Sequence, residues 1–162
     1  MPTDLSKILE TLAACNVAFI LVGGLAAVAQ GAPVTTFDVD IVPRQTDANL
    51  GRLMDCLKSL QAVHRRPDDT VLPARLHDLT GRGHNLYTTR FGPLDVLGRI
   101  EQGLGYDDLV EKTITVSFRS HQIKVLSLQA IIELKRDSSS PEDRRRLPVL
   151  EQTLEQSPRH HD

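Results

Sequence analysis

An α/β (α+β) fold is expected from three features of this 162-residue chain. Residues 19–44 (FILVGGLAAVAQGAPVTTFDVDIVPR) read as strand, tight turn, short helix, turn, strand. Further along, strand-length apolar runs alternate with segments at helical spacing. The C-terminal end closes on two capped helical patterns. The length suits one domain with a real core, expected over residues 1–156, with 157–162 as a frayed tail that includes His160 and His161.

The elements follow in order. Thr3 is the expected N-cap of a first helix in which Leu5, Ile8, Leu9 and Leu12 recur at helical spacing. Residues 18–22 form a nearly unbroken apolar run, which predicts a strand buried on both faces. After Gly23-Gly24, residues 25–30 make a short helix whose alanines allow close packing. Residues 37–43 make the second strand. Thr46 or Asp47 caps a helix with Leu50, Leu53, Met54 and Leu57 on one face.

Residues 64–83 change character, with two prolines, four arginines and little periodicity. A connection this long is usually functional or mobile. It reads either as a solvated loop or as a flap offering Arg65, Arg66, Arg75 or Arg82 to phosphates or a polynucleotide partner. No metal-ligand spacing links its histidines, so no zinc is expected. Residues 85–90 and 94–97 read as strands around a Phe91-Gly92-Pro93 turn. Residues 103–112 read as a turn and short helix, with Tyr106 and Leu109 inward. A hairpin is expected from 113–118 and 122–126. Ser127 caps a helix carrying Leu128, Ile131, Ile132 and Lys135. Ser140 followed by Pro141 opens the last helix, with Leu147, Leu150 and Leu154 on its face.

The chemistry concentrates at two joints of residues 19–44. Asp38 and Asp40 are two apart, so on a strand both carboxylates face one way. Adjacent carboxylates repel unless a cation or a proton intervenes. Hard divalent cations such as Mg²⁺ take such oxygens, usually one or two carboxylates completed by substrate phosphates. Gly23 and Gly24 let the backbone approach a ligand closely, at the start of a helix whose N–H groups attract anions. Asp95 is the lone acid in an apolar strand, and a buried carboxylate needs a partner. A metal shared with Asp38 and Asp40 is one such partner; a solvent-facing strand acid is the plain alternative. Lys135 has two readings of equal standing, a nucleotide phosphate or an ion pair with Asp143.

These residues resemble the signature of the nucleotidyltransferase-fold superfamily, the polymerase-beta-like minimal nucleotidyltransferases, and are similar to its small bacterial members, some of them tied to toxin–antitoxin and abortive-infection systems. The resemblance rests on the apolar strand, Gly23-Gly24, the short helix, Asp38-Val39-Asp40 and Asp95, and extends loosely to Lys135-Arg136 and Asp143. It implies a mixed central sheet flanked by helices, with a helical C-terminal end. It implies Asp38, Asp40 and Asp95 as catalytic metal ligands, two Mg²⁺ ions, an NTP substrate, and nucleotide contacts from Gly23, Gly24 and Lys135. The implied activity is transfer of a nucleoside monophosphate to an acceptor hydroxyl or amine. Other expectations are a toxin–antitoxin component acting on tRNA or a partner protein, and a non-catalytic nucleotide-binding or interaction module. A homo-oligomer and a toxin or antitoxin partner stay open. The chain departs from the pattern at Val34, where many relatives carry a basic residue, and at the serine linker 138–140.

Composition sets the remaining bounds. Hydrophobic content of 40% and charged content of 25% are ordinary for a globular protein. No run approaches a membrane span and no signal-peptide pattern opens the chain, so a cytoplasmic location is expected. Cys15 and Cys56 are then expected reduced and buried. A formal charge of −2 does not favour general nucleic-acid binding.

Overall fold

The computed structural model describes residues 3–157. Its strands are β1 (Phe19–Val22), β2 (Val39–Pro43), β3 (Val63–His64), β4 (His84–Thr89), β5 (Gly92–Leu97), β6 (Thr113–Phe118) and β7 (His121–Leu126). Its α-helices are α1 (Leu5–Ala14), α2 (Gly23–Val28), α3 (Asp47–Ser59), α4 (Tyr106–Leu109), α5 (Leu128–Arg136) and α6 (Pro141–Glu155). The seven strands form one mixed sheet in the order β3-β4-β5-β2-β1-β7-β6. β1 runs antiparallel to β2 and parallel to β7, and β2 runs parallel to β5. The tail expected at 157–162 falls, past Ser157, outside the described residues, and His160 and His161 fall there too.

β1 is buried along its whole length, as its unbroken apolar run requires. α1 packs on β7, β5, β2 and α3, and buries Ile8, Leu9 and Leu12. α3 buries Leu50, Leu53 and Leu57 at the same helical spacing. Each such side chain contributes about 1.5–3 kcal/mol on burial. α2 packs on β1, β2 and α5 through the buried Ala26 and Ala27. The C-terminal α5 and α6 pack on each other. Among the described residues no helix is long and apolar enough to cross a membrane.

Several boundaries differ from the sequence expectation. Asp4, not Thr3, caps α1; its carboxylate accepts the Lys7 N–H at 3.3 Å, while Thr3 lies against Gly92. Thr46, not Asp47, caps α3. α2 begins at Gly23 itself, two residues earlier than residue 25. β2 begins at Val39, leaving Phe37 73% exposed ahead of it. The 64–83 segment is mostly exposed, as a solvated loop is, but it is pinned to the body at several points. Ala74 and Leu79 are buried, a 3-10 turn spans Leu76–Leu79, and His64 Nε2 meets Asp78 Oδ2 at 3.0 Å. Cys56 is buried, but Cys15 is only half-buried.

Two amide side chains set the frame of the site. Asn49 on α3 is fully buried. Its Oδ1 accepts the Ala18 N–H at 2.7 Å, and its Nδ2 donates to Ala18 O at 2.9 Å and Arg44 O at 2.7 Å. It thereby ties the start of β1 to the end of β2. Gln30 Nε2 donates to Leu126 O at 2.9 Å while its Oε1 accepts the Leu128 N–H at 2.8 Å, joining the end of α2 to the β7–α5 corner.

Candidate active site

The β2–β5 ladder pairs Asp40 with Asp95 directly. Neighbours in register point to the same face of a sheet, so both carboxylates emerge together. Asp38 stands one residue before β2 and two before Asp40, on the same side. The three half-buried carboxylates each offer an oxygen, and these oxygens lie within 4.8 Å of one another.

Burial above all raises the Asp40 pKa from 3.8 to about 7. Its protonated carboxyl donating to Asp95, the charge of Asp95 and then the charge of Asp38 add to this; Arg65 opposes them. Asp40 Oδ1 is buried with no hydrogen-bond partner, an arrangement that costs free energy unless something binds there. Clustered hard oxygens with one orphaned lone-pair donor fit a divalent cation of the Mg²⁺ class.

The glycines belong to the same corner. Val22 is the register partner of Asp40, so Gly23 follows directly beside that carboxylate. Gly23 has φ +74, and a Cβ there would collide with Asp40 Oδ2. A Cβ on Gly24 would lie 2.9 Å from Thr36 Oγ1 and 3.3 Å from Arg146 Nη1. Lys135 Nζ donates to Asp143 Oδ1 at 2.8 Å. Burial pushes the Asp143 carboxyl up, but hydrogen bonds from Lys135 and Ser138 outweigh it and hold it below the usual range. Lys135 also lines a cavity of about 110 Å³ together with Val22, Gly23, Asp40, Leu97 and Glu101. The structure thus pairs Lys135 with Asp143 and also places it on the wall that holds Gly23 and Asp40.

Two guanidinium groups reach this corner. Of the four arginines in 64–83, Arg65 is the one that meets the carboxylates. Its Nη2 donates to Asp95 Oδ1 at 3.0 Å and to Tyr87 O at 2.8 Å. Arg66 and Arg75 pair instead with Asp68 and Asp78 inside the segment. Arg146 on α6 was invisible to sequence reasoning. Its Nη2 donates to Thr35 O at 2.8 Å and pairs with Glu142 at 3.2 Å. No spacing rule links a helix near the end of the chain to the 33–37 turn, so no signal would have found it. Val34 packs against the core.

No family model matches the sequence, and no curated protein matches it. Solved structures do match in three dimensions. The lincosamide antibiotic adenylyltransferase LnuA, in a lincomycin-bound structure, is 14% identical with a TM-score of 0.59, over 92% of this chain and 95% of that one. The antibiotic-resistance factor ANT(2'')-Ia is 15% identical with a TM-score of 0.56, over 93% of this chain and 80% of that one. A Thermotoga maritima protein described as a candidate nucleotidyltransferase is 22% identical with a TM-score of 0.52, over 89% of this chain and 90% of that one. The chain therefore has the nucleotidyltransferase fold, a mixed seven-stranded sheet with flanking and C-terminal helices, and it carries a candidate acidic triad in Asp38, Asp40 and Asp95.

Proposed function

We propose that this chain is a divalent-metal-dependent nucleotidyltransferase that moves a nucleoside monophosphate from an NTP to an acceptor hydroxyl or amine. One observation carries the reading: Asp40 and Asp95 are register partners with Asp38 beside them, and the buried Asp40 Oδ1 has no partner. Asp38, Asp40 and Asp95 would hold Mg²⁺, two ions in the fullest form. Bound metal supplies charge neutralisation at the phosphates.

The chain's own groups do the rest. Gly23 and Gly24 admit the triphosphate against the backbone, where N–H groups favour anions. Lys135 contributes positive charge on the same wall. The acceptor oxygen or nitrogen attacks the α-phosphorus, the bond to the bridging oxygen breaks, and pyrophosphate leaves. Asp95 takes the acceptor's proton on Oδ2, the oxygen opposite the one that Arg65 holds. Residues 1–156 act as one unit in this scheme.

The acceptor class to try first is a small hydroxylated molecule. The LnuA structure holds lincomycin, and an ANT(2'')-Ia structure, 15% identical with a TM-score of 0.55, holds adenylyl-2''-tobramycin. The test is incubation with each α-labelled NTP, Mg²⁺, and lincomycin, tobramycin, tRNA or cell protein in turn. Label should reach an acceptor with release of pyrophosphate, and both should vanish in Asp38→Ala and Asp40→Ala. Calorimetry that finds no NTP binding, with or without Mg²⁺, sinks the reading and leaves an interaction module.

A further inference from the structure

We infer that Arg65 is a positioning residue that aims the Asp95 carboxylate and limits how tightly the acidic cluster holds its cation. The turnover half of this inference rests on the transferase reading above; the cation half does not.

The guanidinium is placed by the sheet. Arg65 follows the two-residue β3, and its N–H donates to Leu86 O at 2.7 Å. Leu86 is itself the register partner of Asp95 across β4–β5. From that edge, Nη2 bridges Tyr87 O and Asp95 Oδ1. Leu86 offers no polar group to Asp95, and Asp40 on the other side is a second acid. Among the described residues, Arg65 is the cation that forms an ion pair with the cluster. Its Asp95 partner side chain is 14% exposed, against 36% for Arg65 itself.

Two consequences follow from that placement. A carboxylate with one oxygen held by a guanidinium nitrogen that is itself anchored on Tyr87 O turns its other oxygen to the site in one orientation. Losing this orientation costs turnover more than substrate binding. At the same time a fixed positive charge 3.0 Å from Asp95 Oδ1 repels a cation arriving at the same carboxylate. Removing it strengthens cation binding. Arg65→Gln therefore moves the two observables in opposite directions, whereas general damage to the site lowers both.

The experiment measures Mn²⁺ affinity by calorimetry and label transfer under saturating NTP, in wild type, Arg65→Gln, Arg65→Lys, Asp95→Asn and the double variant Arg65→Gln/Asp95→Asn. Arg65→Gln should bind Mn²⁺ tighter by at least about threefold, the upper range for a partly exposed ion pair. Its kcat should fall by at least about tenfold with the NTP KM within about threefold, since small misplacements near the chemistry cost up to about a hundredfold. Arg65→Lys should restore Mn²⁺ affinity to the wild-type value but not kcat, because lysine keeps the charge and loses the planar guanidinium that spans Tyr87 O and Asp95 Oδ1. In the Asp95→Asn background the Gln substitution should lower kcat no further. Unchanged or weaker Mn²⁺ binding by Arg65→Gln overturns the inference, as does full additivity of the kcat losses with Asp95→Asn. If wild type transfers no label, the transferase reading has failed and the Mn²⁺ series alone decides the role of Arg65.

Discussion

Gly23 and Asp40 stand so close that a methyl group on the first would collide with the carboxylate of the second. The cause is the β1–β2 register, which sets Val22 opposite Asp40 and delivers the next residue, at φ +74, against the acid. The chain turn and the acid are therefore one structural unit, and a change in either is felt by both.

Gly23→Ala should lower stability and displace Asp40 at once. Gly31 is a matched control, with φ +95 and nothing within 4 Å of where its Cβ would sit. Both alanines incur the left-handed backbone strain of about 1–2 kcal/mol. Only the first moves the carboxylate. Urea unfolding should show a loss in both, the larger in Gly23→Ala, while calorimetry shows Mn²⁺ binding weakened at least about tenfold in Gly23→Ala alone, on the scale of a lost charged contact. Equal Mn²⁺ affinity in the two variants would falsify the coupling of Gly23 to the acid.

Stability of the metal-free protein should fall as pH rises from about 4 to about 7. The folded Asp40 carboxyl holds its proton up to about 7, against 3.8 ordinarily. Between those values the folded state binds more protons than the unfolded one, so the slope of stability with pH is negative. Asp78 and Asp143 act in the opposite sense at lower pH. For each, burial pushes the carboxyl up, but hydrogen bonds, from His64 and Arg75 and from Lys135 and Ser138 respectively, outweigh it. Their contribution is lost as pH falls below the ordinary 3.8. A cation competes with the Asp40 proton, so the Tm gain from 5 mM Mn²⁺, about a millimolar-site saturating dose, should grow between pH 5 and pH 7.5, about the range that brackets the shifted carboxyl. A metal-induced Tm gain that is flat across that range removes Asp40 from the cation site.

Asn49→Ala should cost about 1.5–3 kcal/mol, since two backbone groups lose their partner at once. The variant leaves the Ala18 N–H and Arg44 O without the amide at the outer ends of β1 and β2, while Ala18 O keeps the Arg44 N–H. Chemical denaturation is the measurement. A loss below about 1 kcal/mol, the worth of a single ordinary hydrogen bond, would mean that water replaces the amide and that the two strands do not depend on it.

The parts of this molecule that could be read from the chain are those whose partners are near in sequence. Period-2 and period-3.6 patterns placed β1, α3, α5 and the β6–β7 hairpin, because burial on one face leaves a local trace. Asp38, Asp40 and Gly23 fall within one strand–turn–strand unit, and Asp95 stood out as the lone acid of an apolar strand. What could not be read depends on register across distant segments. Arg65 meets Asp95 across 30 residues, and only the β3–β4–β5 order brings them together. Arg146 reaches Thr35 across 111 residues, and Asn49 reaches Ala18 across 31. A helical Asn inside an apolar stripe looks like an exposed position until the strand ends that it satisfies are known. The first helix turn was misplaced for a local reason, since Gly23 supplies a positive φ within the helix start itself.

Lys135 supplies the last prediction, because its ion pair and its proposed contact with nucleotide make opposite demands. Its Nζ lies 2.8 Å from Asp143 Oδ1, with side-chain exposures of 17% and 21%. It also shares a cavity wall with Gly23 and Asp40. If the ammonium serves only α5–α6 packing, Lys135→Gln and Asp143→Asn should lose stability alike and leave NTP binding alone. If it meets a phosphate, the variants should diverge. Lys135→Gln then weakens NTP binding at least about tenfold, the scale of a lost charge-assisted hydrogen bond, while Mn²⁺ affinity without nucleotide is unchanged. Asp143→Asn releases the ammonium from its competitor, so NTP binds as well as in wild type or more tightly. We expect the divergent outcome, because Lys135 shares the cavity wall with Gly23 and Asp40. Calorimetry with NTP in the presence of Mg²⁺, set beside urea unfolding of the two variants, separates the cases. Matched losses of stability with unchanged NTP affinity would confine Lys135 to holding α5 against α6.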